Sequence, residues 1–172
     1  EVVARLMAGK RVGIVFTAPP YGMNLDCDYS KMPRGAHTYS NIIGDDKDFD
    51  PSCIFRVDAA EYYIWGADWF YERMPAGYSP IVWDKQPQHC EAGPQNHFEI
   101  CWAFPKQKRR INRHLWSGYT AKEKDEPRAH PAQKPIGVIV DIIGHSGARI
   151  ILDLFGGSGN TLIACEQTNR PC

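Results

Sequence analysis

The sequence predicts an α/β protein with a buried parallel sheet. One observation is the nearly continuous apolar run from Ile150 to Leu154, which is typical of a parallel strand covered on both faces. Another is the glycine-rich turn that follows at 156–159, with the start of a helix at Asn160. A third is the short apolar strand Val12–Phe16, which ends in a loop with two prolines. In open α/β sheets, ligands bind at the edge where such strands end.

Length and composition indicate one globular domain. The 172 residues suffice for a sizeable core, and the hydrophobic share of 43% and charged share of 23% are ordinary. The formal net charge is zero, so any nucleic-acid partner must be held by a local patch. No apolar run reaches the ~18 residues that a membrane span needs, so no membrane partner is expected. Both ends are expected to be cut: Glu1 lies inside a helical pattern and Cys172 follows a helix.

The cysteines indicate neither disulfides nor a metal site. Six of them are scattered along the chain without a Cys-x-x-Cys pair. Four residues could be imagined as zinc ligands, but their spacing fits no common pattern: His89, Cys90, His97 and Cys101. We therefore expect free thiols, a reducing cytoplasmic location and no metal.

The first elements follow from apolar patterning and from breaks at glycine and proline. Residues 1–9 predict an amphipathic helix, stopped by its terminal glycine, and Val12–Phe16 a strand. The prolines in 17–22 cannot continue a central strand, so a rigid loop begins there. Residues 23–50 predict a long mobile loop over the site. Its aspartates lack the spacing of a calcium loop and are expected to be solvated: Asp26, Asp28, Asp45, Asp46, Asp48 and Asp50.

The middle and end of the chain alternate short strands with helices. A proline at its first turn favours a helix over 51–60, and apolar runs predict the strands. The remaining predicted elements are strands at Tyr62–Trp65, Ile81–Trp83 and Phe98–Phe104, helices at Trp69–Met74 and Ile136–Ile143, an exposed mixed-charge stretch at 122–128 and a rigid loop at 130–135.

A basic segment follows the strand Phe98–Phe104. Five cations in eight residues suit contact with nucleic-acid phosphates, and Trp116 and Tyr119 behind them suit contact with bases. A solvated surface stretch explains the same residues equally well. The candidate DNA-binding residues are Lys106, Lys108, Arg109, Arg110 and Arg113.

The glycine turn indicates a ligand, because glycine lets the backbone approach it closely and the following helix offers free N–H groups. A P-loop would need a lysine after the glycines, and the dinucleotide pattern would need a third glycine at Leu162. Instead, Phe155 precedes the glycines and Asp153 lies two residues earlier. A tight turn without a ligand remains the alternative.

Three motifs in this order resemble the permuted β-class of DNA amino-methyltransferases, which act on adenine N6 or cytosine N4. Residues 17–22 resemble the catalytic Asp/Asn/Ser-Pro-Pro-Tyr motif, 130–135 the His-Pro-x-Gln-Lys-Pro motif, and 153–161 the Phe-x-Gly-x-Gly cofactor motif. The resemblance covers nearly the whole chain. It implies an α/β Rossmann-like fold that depends on S-adenosylmethionine (SAM), with a mostly parallel sheet, one reversed strand and permuted motif order.

The resemblance also implies roles for individual residues. SAM is the expected cofactor, without a metal, and double-stranded DNA the expected partner; a homodimer stays open beside a monomer. Pro19, Pro20 and Tyr21 would form the target-base pocket, with Tyr21 stacking on a flipped base. The residues expected at the cofactor are Thr17, Lys134, Asp153, Phe155, Gly156, Gly157, Ser158, Gly159, Asn160 and Thr161.

The chain departs from the motif at its acceptor position, which is Ala18. An acceptor there and the carbonyl of Pro19 would take the two N–H bonds of the target amine and localise its lone pair. Losing such a bond costs about 1.5–3 kcal/mol, or roughly 10- to 150-fold in rate. We therefore expect slow or absent methylation. The alternatives are an inactive DNA- or cofactor-binding relic and a methyltransferase acting on RNA or protein.

Overall fold

The computed structural model describes residues 2–7, 9–30, 38–85, 96–116 and 128–172. Within them lies a six-stranded sheet with the order β5-β3-β4-β2-β1-β6. The strands are β1 (Val12–Thr17), β2 (Ala59–Trp65), β3 (Ser79–Asp84), β4 (Phe98–Phe104), β5 (Arg110–Arg113) and β6 (Ile151–Leu152). The helices are α1 (Val2–Met7), α2 (Ser52–Phe55), α3 (Ile136–Gly144) and α4 (Asn160–Gln167), and 3₁₀ turns span Ala67–Trp69 and Tyr71–Arg73.

The sheet is parallel except for β4, which runs antiparallel to both of its neighbours. The prediction of a mostly parallel sheet with one reversed strand is therefore confirmed. β1 pairs in parallel with β2 and with β6, and β3 pairs in parallel with β5. The carboxyl ends of the parallel strands consequently meet the amino end of β4 at one edge, which we call the carboxyl edge.

Both faces of the sheet are covered, and this explains the apolar strands. On one face Ile14 and Phe16 pack with α3 and α4 residues. On the other face Val15 and Ile64 pack in a second cluster that includes Ile54 of α2. Alternate residues of one strand therefore enter different cores, so the strand is apolar throughout. Among the described residues, no helix is both long and apolar enough to cross a membrane.

Several predicted elements have different bounds in the structure. The helix expected over 51–60 is only the four-residue α2, because β2 begins at Ala59, which pairs with Val12. The helix expected at Trp69–Met74 is instead two 3₁₀ turns separated by Phe70, whose φ of −135° breaks helical geometry. The strand expected from Ile150 to Leu154 narrows to the two residues of β6 at the sheet edge.

One strand was missed by the sequence reasoning. β5 lies inside the basic segment and pairs with β3 at the opposite edge of the sheet from β6. Its alternation of half-buried and exposed residues is that of an edge strand. Charged residues dominate its sequence, so it carries no apolar signal. Of the aromatics predicted to contact bases, Trp116 is 6% exposed and belongs to the core.

Parts of four predictions lie outside the described residues. His89 and Cys90 of the zinc hypothesis are among these, and no group of three or more metal-ligating side chains occurs in the described residues. Of the mixed-charge stretch only Arg128 is described, and it is half-buried rather than exposed. Tyr119 is likewise outside. The long loop is described at 23–30 and 38–50, which are joined by an Asp28–Thr38 bridge.

Candidate active site

A cavity of about 590 Å³ lies at the carboxyl edge. It is lined by all three motifs and by the long loop, including Asn41 and Ile42. The long loop therefore covers the site, as predicted. The candidate residues that line the cavity are Ala18, Pro19, Pro20, Tyr21, Lys134, Asp153, Phe155, Gly156, Gly157, Ser158, Asn160 and Thr161. Thr17 and Gly159 are candidates that stand behind this lining.

A hydrogen bond joins the first motif to the last. Thr17 is buried at the end of β1, and its hydroxyl donates to the Asp153 Oδ1 atom at 2.9 Å. The same oxygen accepts the backbone N–H of Phe155 at 3.0 Å. Asp153 therefore connects the catalytic strand β1 to the start of the glycine turn. Thr17 acts in this geometry as a support for Asp153.

The glycine turn presents open backbone to the cavity. Gly157 and Gly159 have φ values of +51° and +81°, a region that favours glycine. A side chain built at Gly156 or Gly159 would meet no heavy atom within 4 Å. Steric packing against protein therefore does not explain these glycines; the positive φ of Gly159 favours glycine, and the backbone at both positions is open enough for a ligand to approach it closely. Asn160, buried at the start of α4, donates to the carbonyl of Lys134 at 2.8 Å and so links the glycine turn to the second motif.

A buried ion cluster occupies one wall of the cavity. Lys134 is 6% exposed, and its Nζ lies 3.0 Å from Glu99 Oε2 and 5.5 Å from the ring centroids of Tyr21 and Trp65. Glu99 also pairs with Lys85. Burial opposes both charges, but the attraction between them prevails: the pKa of Lys134 is raised and the pKa of Glu99 is lowered. Both groups therefore stay ionised.

Sequence reasoning singled out Lys134 but missed Glu99 and Lys85. Their signal is weak: Glu99 is one acid in the apolar run of β4, and Lys85 directly follows β3. The reversed direction of β4 brings the two together at the carboxyl edge, because Trp83 pairs with Glu99. Only the sheet topology reveals this pairing.

Asp45 fixes the loop of the first motif. This side chain is buried at 4% exposure, so the expectation that it is solvated is wrong. Its Oδ1 accepts the backbone N–H groups of Tyr21 and Gly22 at 2.9 Å each, and its Oδ2 accepts that of Leu25 at 2.8 Å. A carboxylate that accepts several N–H bonds in this way orders the chain around it. Asp45 therefore sets the backbone that carries Tyr21.

Tyr21 lies against a glycine at the end of β2. A side chain at Gly66 would come within 2.1 Å of the Tyr21 ring, and Gly66 has a φ of +68°. Both the space and the backbone therefore require glycine here. The hydroxyl of Tyr21 is buried, and this burial raises its pKa although Lys134 lies nearby. The close approach of Gly66 fixes the position of the Tyr21 ring.

The basic segment lies outside the cavity lining. Arg113 pairs with Asp84 in the sheet register, so it lies at the carboxyl edge, and its Nε is 3.9 Å from the Asp84 carboxylate. Residues 106–109 precede β5 and therefore lie towards the opposite edge. The three cations there, Lys106, Lys108 and Arg109, are exposed, while Arg110 is half-buried. Their proposed contact with DNA stays a prediction.

Comparisons with known proteins agree with these features. Residues 79–172 match the profile of the N6/N4 family described as DNA methylase. The type II methyltransferase M.HindIII of Haemophilus influenzae is 26% identical over 156 residues, which cover 77% of this chain and 49% of that protein. The chain thus spans about half the length of this relative.

A solved structure shares the fold. The alignment with the crystal structure of the M1.HpyAVI–SAM complex covers 99% of this chain and 85% of that chain, with a TM-score of 0.52 and 18% sequence identity. Together with the six-stranded sheet and its single reversed strand, this likeness confirms the predicted Rossmann-like α/β fold.

Proposed function

Because this chain belongs to the N6/N4 DNA methylase family, we propose that it transfers a methyl group from SAM to an exocyclic amine of DNA. The target is N6 of adenine or N4 of cytosine, in a base flipped out of the duplex. The observation that carries this proposal is the single cavity lined by all three motifs. We propose that residues 1–172 belong to a single catalytic domain.

The residues at the glycine turn fit SAM. The open backbone at Gly156 and Gly159 leaves room for a close ligand, and Asp153 and Asn160 flank it. We propose that these residues, with Phe155, Gly157, Ser158, Thr161 and Lys134, hold the cofactor. When bound, SAM supplies a methyl group on a positively charged sulfur. No group of metal-ligating side chains was found in the described residues, and the proposed chemistry requires no metal.

The first motif provides the pocket for the target base. Pro19 and Pro20 restrict the backbone between Ala18 and Tyr21, which directs the carbonyl of Pro19. That carbonyl would accept one N–H bond of the target amine, and the Tyr21 ring would stack on the base. Asp45 holds the N–H groups of Tyr21 and Gly22, so it supports this pocket from behind.

Ala18 favours a second candidate function, an inactive DNA- or cofactor-binding protein. Its methyl group cannot accept the second N–H bond of the amine, so without another acceptor in the cavity transfer would be slower than with aspartate by roughly 10- to 150-fold. For either function, we propose that the basic segment contributes to DNA binding. We further propose that the protein is cytoplasmic and takes part in restriction-modification.

The test is transfer of labelled methyl groups from SAM in a mixture of unmethylated DNA, RNA and protein. The chain is compared with its Ala18→Asp variant, and SAM affinity is measured for both. Label in DNA alone, increased by Ala18→Asp, supports the proposal. Label in RNA or protein would establish the other substrate class. No label in either variant, with SAM bound, would identify a binding protein.

A further inference from the structure

The cavity contains four carboxylates that could compensate for Ala18. They are Asp45, Asp68, Glu99 and Asp153. An acceptor for the target amine must have a free oxygen, because an oxygen already occupied by donors gains little from another. The hydrogen bonds of each side chain therefore decide which of them is available.

Three of the four are committed to the protein. Asp45 accepts backbone N–H bonds on both of its oxygens. Glu99 is paired with two lysines, Lys85 and Lys134. Asp153 is bonded through its Oδ1 to the Thr17 hydroxyl and to the N–H of Phe155, and it belongs to the glycine turn that we assign to the cofactor. Asp45 and Glu99 would have to break or weaken these contacts to accept from a substrate, and Asp153 lies on the cofactor side of the cavity.

Asp68 is the remaining acid. Within the described part of the chain, its carboxylate has no ion pair and no hydrogen bond to another residue. It lies two residues after Gly66, which contacts the Tyr21 ring. β1 and β2 are neighbouring parallel strands with Thr17 opposite Ile64, so the turn after β2 adjoins the motif after β1. Asp68 and Ala18 thus line the same cavity from adjacent strand ends.

We propose that Asp68 accepts the hydrogen bond from the target amine that Ala18 cannot accept, so that the chain retains methyl transfer. This rests on the proposed function. The amine nitrogen forms a bond to the methyl carbon as the carbon–sulfur bond breaks, and the electron pair of that bond stays on sulfur. The amine then releases its surplus proton to solvent. Asp68 stays ionised and holds one N–H while the carbonyl of Pro19 holds the other.

The charges around Asp68 give the proposal a pH signature. Glu99 and Lys134 face it from β4 and the second motif, and Tyr21 faces it from the first motif. Burial raises the pKa of Asp68 most strongly and Glu99 raises it further, while the backbone N–H of Asp68 itself and Lys134 lower it. The ionised form is the acceptor, so transfer falls as the pH drops through this raised pKa.

Two substitutions at Asp68 and a matched control test the proposal. Asp68→Ala removes the acceptor, and we expect the kcat for DNA methylation to fall about 10- to 100-fold. Asp68→Asn keeps an acceptor oxygen that does not titrate, so it should retain part of the rate and lose the fall at low pH. Asp58→Ala removes an exposed acid at the opposite end of β2 and should change neither quantity.

SAM affinity and melting temperature separate this role from a structural one. Both should change little in Asp68→Ala, because within the described residues the carboxylate has no ion pair and no hydrogen bond to another residue. In the Ala18→Asp background the loss should shrink to below about threefold, because the amine regains an acceptor.

Two results would overturn the proposal while leaving the proposed function standing. One is equal rates for Asp68→Ala and Asp58→Ala. The other is transfer by Ala18→Asp but none by the chain with Ala18. If neither chain transfers label to DNA, the proposed function itself fails, and the role of Asp68 fails with it.

Discussion

Removing the Asp45 carboxylate should destabilise the loop that carries Tyr21. Asp45→Ala leaves four backbone N–H groups without their acceptor, those of Tyr21, Gly22, Met23 and Leu25. A stranded buried donor costs about 1–3 kcal/mol. The donors are only half-buried, so water replaces part of what is lost and we expect a total of about 3 kcal/mol. For a chain of this length that corresponds to a fall in melting temperature of about 6–12 °C.

The assay is thermal unfolding of Asp45→Ala beside Asp46→Ala. Asp46 is the adjacent acid in the chain but is exposed, so its loss should shift the melting temperature by less than about 2 °C. SAM affinity should change less than methyl transfer, because Asp45 holds the first motif rather than the glycine turn. Equal melting temperatures for the two variants would refute the reasoning that the carboxylate orders this loop.

Three further predictions test other contacts of the site. Gly66→Ala should lower the free energy of unfolding by about 2–4 kcal/mol, because the new Cβ meets the Tyr21 ring at 2.1 Å and the backbone is strained. The control Gly77→Ala, with φ +97° and its nearest contact at 3.6 Å, should show the backbone strain alone, so equal losses in chemical denaturation would contradict the clash. Glu99→Gln should destabilise the fold by about 3 kcal/mol at pH 7, because it leaves the buried Lys134 ammonium without its carboxylate partner. The loss should be smaller at alkaline pH, where Lys134 loses its charge; a loss that does not vary with pH would contradict this. If the basic segment binds DNA, replacing its exposed cations Lys106, Lys108 and Arg109 by alanine should reduce the dependence of DNA affinity on salt, by about one unit of slope per cation. Arg11→Ala is the control, and unchanged slopes in the segment variants would exclude DNA binding by the basic segment.

The sequence predicted β4 and the motifs that line the cavity. β4 was predicted with its bounds correct because its apolar run ends at a proline, and the start of α4 was predicted at Asn160 because it directly follows the glycine turn. The three motifs are short and local, so their residues could be recognised without coordinates. The first and third motifs follow the parallel strands β1 and β6, so their meeting in one cavity follows from the rule that parallel strands end at one edge.

The residues that the sequence could not identify act through tertiary contacts. Asp45 is one of several acids in a polar loop, and only its buried position distinguishes it from Asp46. Glu99 depends on the reversed direction of β4, which brings it to Lys134. β5 is held by pairing with β3 rather than by its own apolar residues. Each of these features depends on partners distant in the chain.

The most direct test of the proposed reaction is mass spectrometry of nucleosides from DNA incubated with the chain and SAM that carries a deuterated methyl group. The account predicts deuterated N6-methyldeoxyadenosine or N4-methyldeoxycytidine, formed by the chain with Ala18 and by its Ala18→Asp variant. Label in 5-methylcytosine would contradict it, because carbon methylation does not use an amine lone pair. Absence of label from every nucleoside in both proteins, while SAM binds, would contradict it equally.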